Sequence, residues 1–140
     1  MTKAEIKRKL NSISWLDDEI KILDAKIERY ETIAQAHAIR YDQDKVQTSP
    51  SDPVSKAMEK LYDLMDKRKD AQIKMVQAIA EAADLIDLVH DARGRLVLHY
   101  RYIVVMPWRV IGERMQFAER HVYRIHDEAM DEIYKKMRDL

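Results

Sequence analysis

Four residues in the stretch "IGERMQFAERHVYRIHDEAM", residues 111–130, have types and spacing that suit one kind of chemistry: Glu119, Arg120, Tyr123 and Arg124. Arg120 and Arg124 stand four apart, so a helix places both on one face, one turn apart. A planar guanidinium takes a guanine edge or a phosphate through two parallel hydrogen bonds. A tyrosine beside it reaches phosphate or a thymine methyl, and a glutamate accepts from a cytosine amine or orients the neighbouring arginine. Val122, Ile125 and Ala129 fall on the other side, giving the helix one face to bury and one to present.

The charge around these residues is uneven. The 140-residue chain has 25 basic and 25 acidic side chains and no net charge. Residues 93–124 nevertheless hold seven arginines (Arg93, Arg95, Arg101, Arg109, Arg114, Arg120 and Arg124) against only Glu113 and Glu119, and no lysine. Residues 1–92 carry more acids than bases, so the zero total hides a basic segment. A basic stripe on a helical segment is the electrostatic footprint of a nucleic-acid partner, and Arg109 and Arg114 join the candidates as contacts to the DNA backbone.

Other chemistry finds little footing. There is no cysteine, which removes disulfides and thiolate chemistry. The histidines His37, His90, His99, His121 and His126 form no i, i+4 ligand pair, so no metal and no cofactor is expected. No nucleophile has a recognisable base and orienting partner, and no glycine-rich phosphate loop occurs, so no catalytic residue is assigned and the chain reads as a non-enzyme. The eight methionines read as flexible core filling, and Trp108 as packing between helices. No apolar run has the length of a membrane span, and the N-terminus lacks a hydrophobic signal core, which together point to the cytoplasm and to no membrane partner.

Only two glycines and three prolines punctuate the chain, so the elements that position these residues must be long helices. Residues 3–41 form a heptad seam through Ile13, Leu16, Ile20, Leu23, Ile27, Tyr30, Ala34, His37 and Tyr41, with Ile6 and Leu10 extending the apolar face slightly out of register. A linker at about 43–52 ends in a helix start, with Asp52 as N-cap and Pro53 at the first helical position. A second helix from about 53 to 90 carries a seam through Leu61, Leu64, Ala71, Met75, Ala78, Ala82, Leu85 and Val89, interrupted by Arg68. Met58, Met65, Ile79 and Ile86 widen its stripe. The expectation is an all-α chain: an antiparallel, coiled-coil-like hairpin over 1–90 that makes a homodimer, then a separate unit over 91–140.

That second unit is expected to hold three helices, at about 92–105, 107–115 and from near Ala118 onward, the last two as a helix-turn-helix. Gly112 is the small residue where two helices cross, and Ile111, Met115, Phe117, Val122 and Ile125 are the apolar set around the crossing. Gln116 occupies the turn position that favours positive φ, and Ala118 the N-cap position that favours Ser or Thr.

The stretch "LVLHYRYIVVMPWRVIGERMQFAERHVYRIHDEAM", residues 96–130, resembles region 4 of bacterial sigma factors. It is more similar still to the ArpU/RinA-type late transcriptional regulators of phages of Gram-positive bacteria. The resemblance lies in Arg101-Tyr102, Trp108, Ile111-Gly112, Arg120, Val122-Tyr123-Arg124, Ile125-His126 and Ala129-Met130, and in "SDPVSKAMEKL", residues 51–61. The chain departs from the pattern at Val110, where the family tends to have Glu, and at Ala118, where it has Ser. The resemblance implies a phage or prophage regulator that binds double-stranded DNA upstream of late or packaging genes, with RNA polymerase as a further partner. Two alternatives stay open: an oligomeric DNA-packaging protein like a small terminase subunit, and a polymerase-binding protein with little DNA specificity of its own.

Overall fold

The computed structural model describes residues 1–44 and 53–140, with side chains described for 1–36 and 53–140. All regular structure among the described residues is helical, with no strand: α1 (Lys3–Asp44), α2 (Pro53–Ile86), α3 (Ala92–Leu98), a π-helical turn (His99–Ile103), α4 (Trp108–Met115) and α5 (Glu119–Arg138). The expected linker lies, apart from its first two residues, outside the described residues, as does Asp52; Pro53 opens α2. Among the described residues no helix is long and apolar enough to cross a membrane.

Local chemistry sets most helix starts. Thr2 Oγ1 accepts from the Glu5 amide at 3.2 Å while Glu5 Oε2 accepts from the Thr2 amide at 2.9 Å, a reciprocal cap on α1. The Asp91 side chain accepts from the Arg93 amide and caps α3. Pro107 and Ala118 stand at the N-caps of α4 and α5 without a side-chain cap bond.

The long helices α1 and α2 pack against each other, the arrangement of a helical hairpin. Contacts divide the chain into two compact units, residues 1–16 with 75–140 and residues 17–74. In the 17–74 unit, Leu23 and Ile27 of α1 pack with Leu61, Leu64 and Ala71 of α2. Arg68, which interrupts the α2 seam, donates to Asp24 Oδ1 at 3.0 Å and so places its charge outside the apolar layer.

In the other unit Ile6, Leu10 and Ile13 share a core with Ala82, Ile86, Val89, Leu98 and Tyr102, and with Ala129, Met130 and Ile133 of α5. Ile6, Leu10, Ile86 and Ile133 are fully buried, each contributing about 1.5–3 kcal/mol of burial. This grouping differs from a division at 90/91. The first turns of α1 supply a wall that the apolar side of α5 needs, which is why Ile6 and Leu10 stand off the heptad register. Polar ties reinforce it: Glu132 Oε1 accepts from the His90 amide at 2.8 Å, Lys136 donates to the Leu88 carbonyl, and Lys3 pairs with Asp131 at 2.6 Å.

The expected widening of the α2 stripe is uneven. Ile86 is fully buried and Met58 packs inside the 17–74 unit, whereas Met65 and Ile79 are exposed.

Candidate nucleic-acid interface

The bend between α4 and α5 depends on two residues. Gln116 adopts φ 60° and ψ 39°, the left-handed conformation, and ends α4 by donating its amide to the Glu113 and Gly112 carbonyls. A non-glycine residue there costs roughly 1–2 kcal/mol. The Phe117 amide then donates to the Gly112 carbonyl at 2.9 Å, drawing the chain across the face of α4. A Cβ on Gly112 would lie 2.9 Å from the Phe117 carbonyl oxygen, so only glycine admits this approach. Ile111, Val122 and Ile125, with Val97 of α3, form a small separate core, on which Met115, Phe117 and Trp108 pack.

With its apolar side fixed in this way, α5 presents Glu119, Arg120, Tyr123 and Arg124 to solvent from its first two turns. Arg120 has no hydrogen bond, ion pair or ring partner among the described residues. Arg124 Nη2 lies 2.8 Å from His121 Nδ1, and that imidazole stacks edge-on against Phe117 at 4.6 Å. Tyr123 is 42% exposed, with its ring 4.8 Å from that of Trp108. A tyrosine held by an indole keeps its hydroxyl at the surface without the entropy of a free rotor.

The seven arginines of the basic segment therefore do different work. Arg95 donates to the carbonyls of Val89 and His90, both at 2.7 Å, and ties α3 to the connection that follows α2. Arg101 donates to the Met106 carbonyl at 3.0 Å and stacks its guanidinium 4.5 Å above Trp108. Arg109 pairs with Glu113 at 2.6 Å on the exposed face of α4, and Arg114 lies 5.9 Å from the Tyr100 ring. Arg93 stands 3.9 Å from Asp91. Among the described residues Arg120 is thus the guanidinium of this segment that is left without a partner, whereas Arg109 would have to exchange its glutamate for a phosphate.

Behind the exposed face lies a polar pair that sequence reasoning missed. Tyr102 Oη is 2.6 Å from His126 Nε2, and His126 Nδ1 is 3.0 Å from Asp127 Oδ1. Both rings are buried, and Trp108 meets His126 edge-on at 5.0 Å. The carboxylate assigns the imidazole proton to Nδ1, so Nε2 accepts from the phenol. Burial pushes His126 below its ordinary value of 6.5, against the pull of the Asp127 bond, and burial pushes Tyr102 up. The pair links the π-helical turn to the middle of α5. Its signal in the sequence is faint: His126 follows Ile125 on a face that alternates polar and apolar residues, and nothing local names Tyr102 as its mate.

Val105 is a second non-glycine residue at positive φ, 63°, and follows the π-helical turn. A β-branched side chain is strained there, and Val104 beside it is 57% exposed. No group of three or more His, Cys, Asp or Glu side chains able to hold a metal ion occurs among the described residues. Against known proteins, no family model, no curated protein and no solved structure matches the chain.

Proposed function

We propose that this chain is a phage- or prophage-encoded transcriptional regulator that binds double-stranded DNA as a homodimer in the bacterial cytoplasm and controls late or packaging genes. In this reading residues 91–140 carry a sigma region 4-like helix-turn-helix, with α4 and α5 as its two helices. The observation that carries it is Arg120: an exposed guanidinium on the first turn of α5, unpaired among the described residues, beside the exposed Arg124 and the indole-braced Tyr123.

A helix entering the major groove reads base edges with its N-terminal residues. Arg120 and Arg124 take guanine or phosphate, Tyr123 takes phosphate or a thymine methyl, and Glu119 accepts from cytosine or steadies Arg120. Arg109 and Arg114 on α4 meet the backbone. The Arg109–Glu113 pair costs little to open, because an exposed ion pair contributes about 0–1 kcal/mol. The resemblance of residues 96–130 to the ArpU/RinA-type regulators supports the same assignment.

The test combines site selection with mutation. Fragments bound from a genomic library should enrich one promoter-proximal site. Arg120→Ala and Arg124→Ala should keep helical content and mass while weakening that site. If an arginine reads guanine, its loss costs about 1–3 kcal/mol and relaxes one base pair. If it meets phosphate, all duplexes weaken alike and the salt slope falls by about one unit. Full affinity in the folded double mutant would remove α5 as the reading helix and leave polymerase contact, or a ring-forming packaging protein, as the better assignment. A mass of eight or more chains would single out the ring.

A further inference from the structure

The flank of α2 beside its seam in the 17–74 unit holds Tyr62, Met65, Asp66, Lys69 and Ile73. At 3.6 residues per turn these five fall within an arc of about 100°. Tyr62, Met65 and Ile73 are 59%, 39% and 52% exposed. Asp66 and Lys69 are exposed too, and neither has an ion-pair partner among the described residues, whereas the neighbouring Arg68 is already satisfied by Asp24. Single exposed apolar residues need no explanation, but three large ones on one helix face around an unpaired acid and base do.

Four of the five positions on this face are symmetrically spaced; Met65, whose mate would be Asp70, stands outside the symmetry. The point midway between Lys67 and Arg68 lies equally far from Tyr62 and Ile73, and equally far from Asp66 and Lys69. A two-fold axis through that point, perpendicular to the helix, lays a second α2 antiparallel on the first. Tyr62 of each copy then covers Ile73 of the other, and Asp66 of each faces Lys69 of the other, so every charge at the centre finds its opposite. Among these five residues, no other antiparallel register sets each charge opposite its opposite. A central polar pair fixes alignment in this way, as a polar residue does in a coiled-coil seam.

We propose that this face of α2 is the dimer interface, and that its occupant is the same face of a second copy of this chain. The proposal rests on the homodimer reading above and adds its surface and register. The apolar pairs supply association, and the reciprocal Asp66–Lys69 pairs select the antiparallel register over slipped alternatives.

A charge exchange on the full chain tests it. Asp66→Lys gives a chain with two cations at the centre, and Lys69→Glu gives one with two anions; both positions are exposed, so helical content should not change. By sedimentation or light scattering the parent should have about twice the 16.6 kDa chain mass, and each variant alone the single-chain mass. An equimolar mixture of the two variants should regain the doubled mass, because the two cations of one chain then face the two anions of the other. Variants that stay dimeric alone would overturn this interface while leaving the homodimer reading intact. Variants of single-chain mass that fail to recover the doubled mass when mixed would overturn the register. A parent of single-chain mass would overturn both the interface and the homodimer. DNA affinity, measured on the same samples, reports on the DNA reading independently: a dimeric parent that binds no duplex would sink that reading and leave the interface standing.

Discussion

Replacing Tyr102 with Phe isolates one atom whose role can be estimated from its surroundings. The hydroxyl lies 2.6 Å from His126 Nε2, and the two residues are only 4% and 7% exposed, so the bond is made largely out of contact with bulk solvent. Removing it leaves the Nε2 lone pair buried without a donor, a penalty of about 1–3 kcal/mol. The ring remains, so no cavity beyond the hydroxyl forms and the apolar contribution is nearly unchanged. A loss of about 2 kcal/mol in a chain of this length lowers Tm by roughly 5–10 °C.

Urea denaturation followed by circular dichroism should show a lower midpoint at unchanged slope. Adding His126→Leu to Tyr102→Phe should cost less than the two separate losses together, since the orphaned acceptor disappears with the imidazole. DNA affinity measured well below the transition should stay close to the parent's, because the lost hydroxyl faces His126 and not solvent. A Tyr102→Phe stability within about 0.5 kcal/mol of the parent would refute the argument that this bond fixes α5.

Further outcomes follow from the same geometry. Gly112→Ala should destabilise by about 1–3 kcal/mol and weaken DNA binding with it, because the new methyl meets the Phe117 carbonyl and must push α4 and α5 apart; thermal melts and duplex titrations read both. Ala118→Ser should stabilise by about 1 kcal/mol by capping α5, and Gln116→Gly by about 0.5–1 kcal/mol, since the relieved left-handed strain is partly offset by the backbone entropy a glycine loses on folding; each is visible as a raised Tm. The His126 site should make stability depend on pH. Its folded value lies below 6.5, so the unfolded chain takes up the proton first; stability is full above about 6.5 and falls as pH drops through the folded value, and a His126→Gln variant should show a flatter profile just below 6.5.

The local order of this chain was legible from one dimension. Heptad spacing announced the long helices, because an apolar residue every three or four positions has one period and one solution. Pro53 and Pro107 marked helix starts because their fixed φ and missing amide fit only there. Gly112, Gln116 and the apolar set around them announced a bend near 116, since a crossing that close admits no Cβ. The outward direction of Glu119, Arg120, Tyr123 and Arg124 followed from the position of Val122 and Ile125 on the buried side.

Tertiary packing decided the rest. Ile6 and Leu10 look like a frayed end of the first seam, yet they close the core under α5, a contact across more than a hundred residues that no local pattern encodes. The arginines of 93–124 carry the same charge in the sequence, but carbonyl groups of Val89, His90 and Met106 take up Arg95 and Arg101, and Glu113 takes up Arg109. Which guanidinium is left for a ligand depends on where backbone carbonyls point after folding. Tyr102 and His126 are an ordinary tyrosine and histidine until the π-helical turn and α5 bring them together and bury both rings. Periodicity is a property of neighbours along the chain, so the sequence alone determines it; partners for buried polar atoms are chosen by neighbours in space, and only the folded structure chooses them.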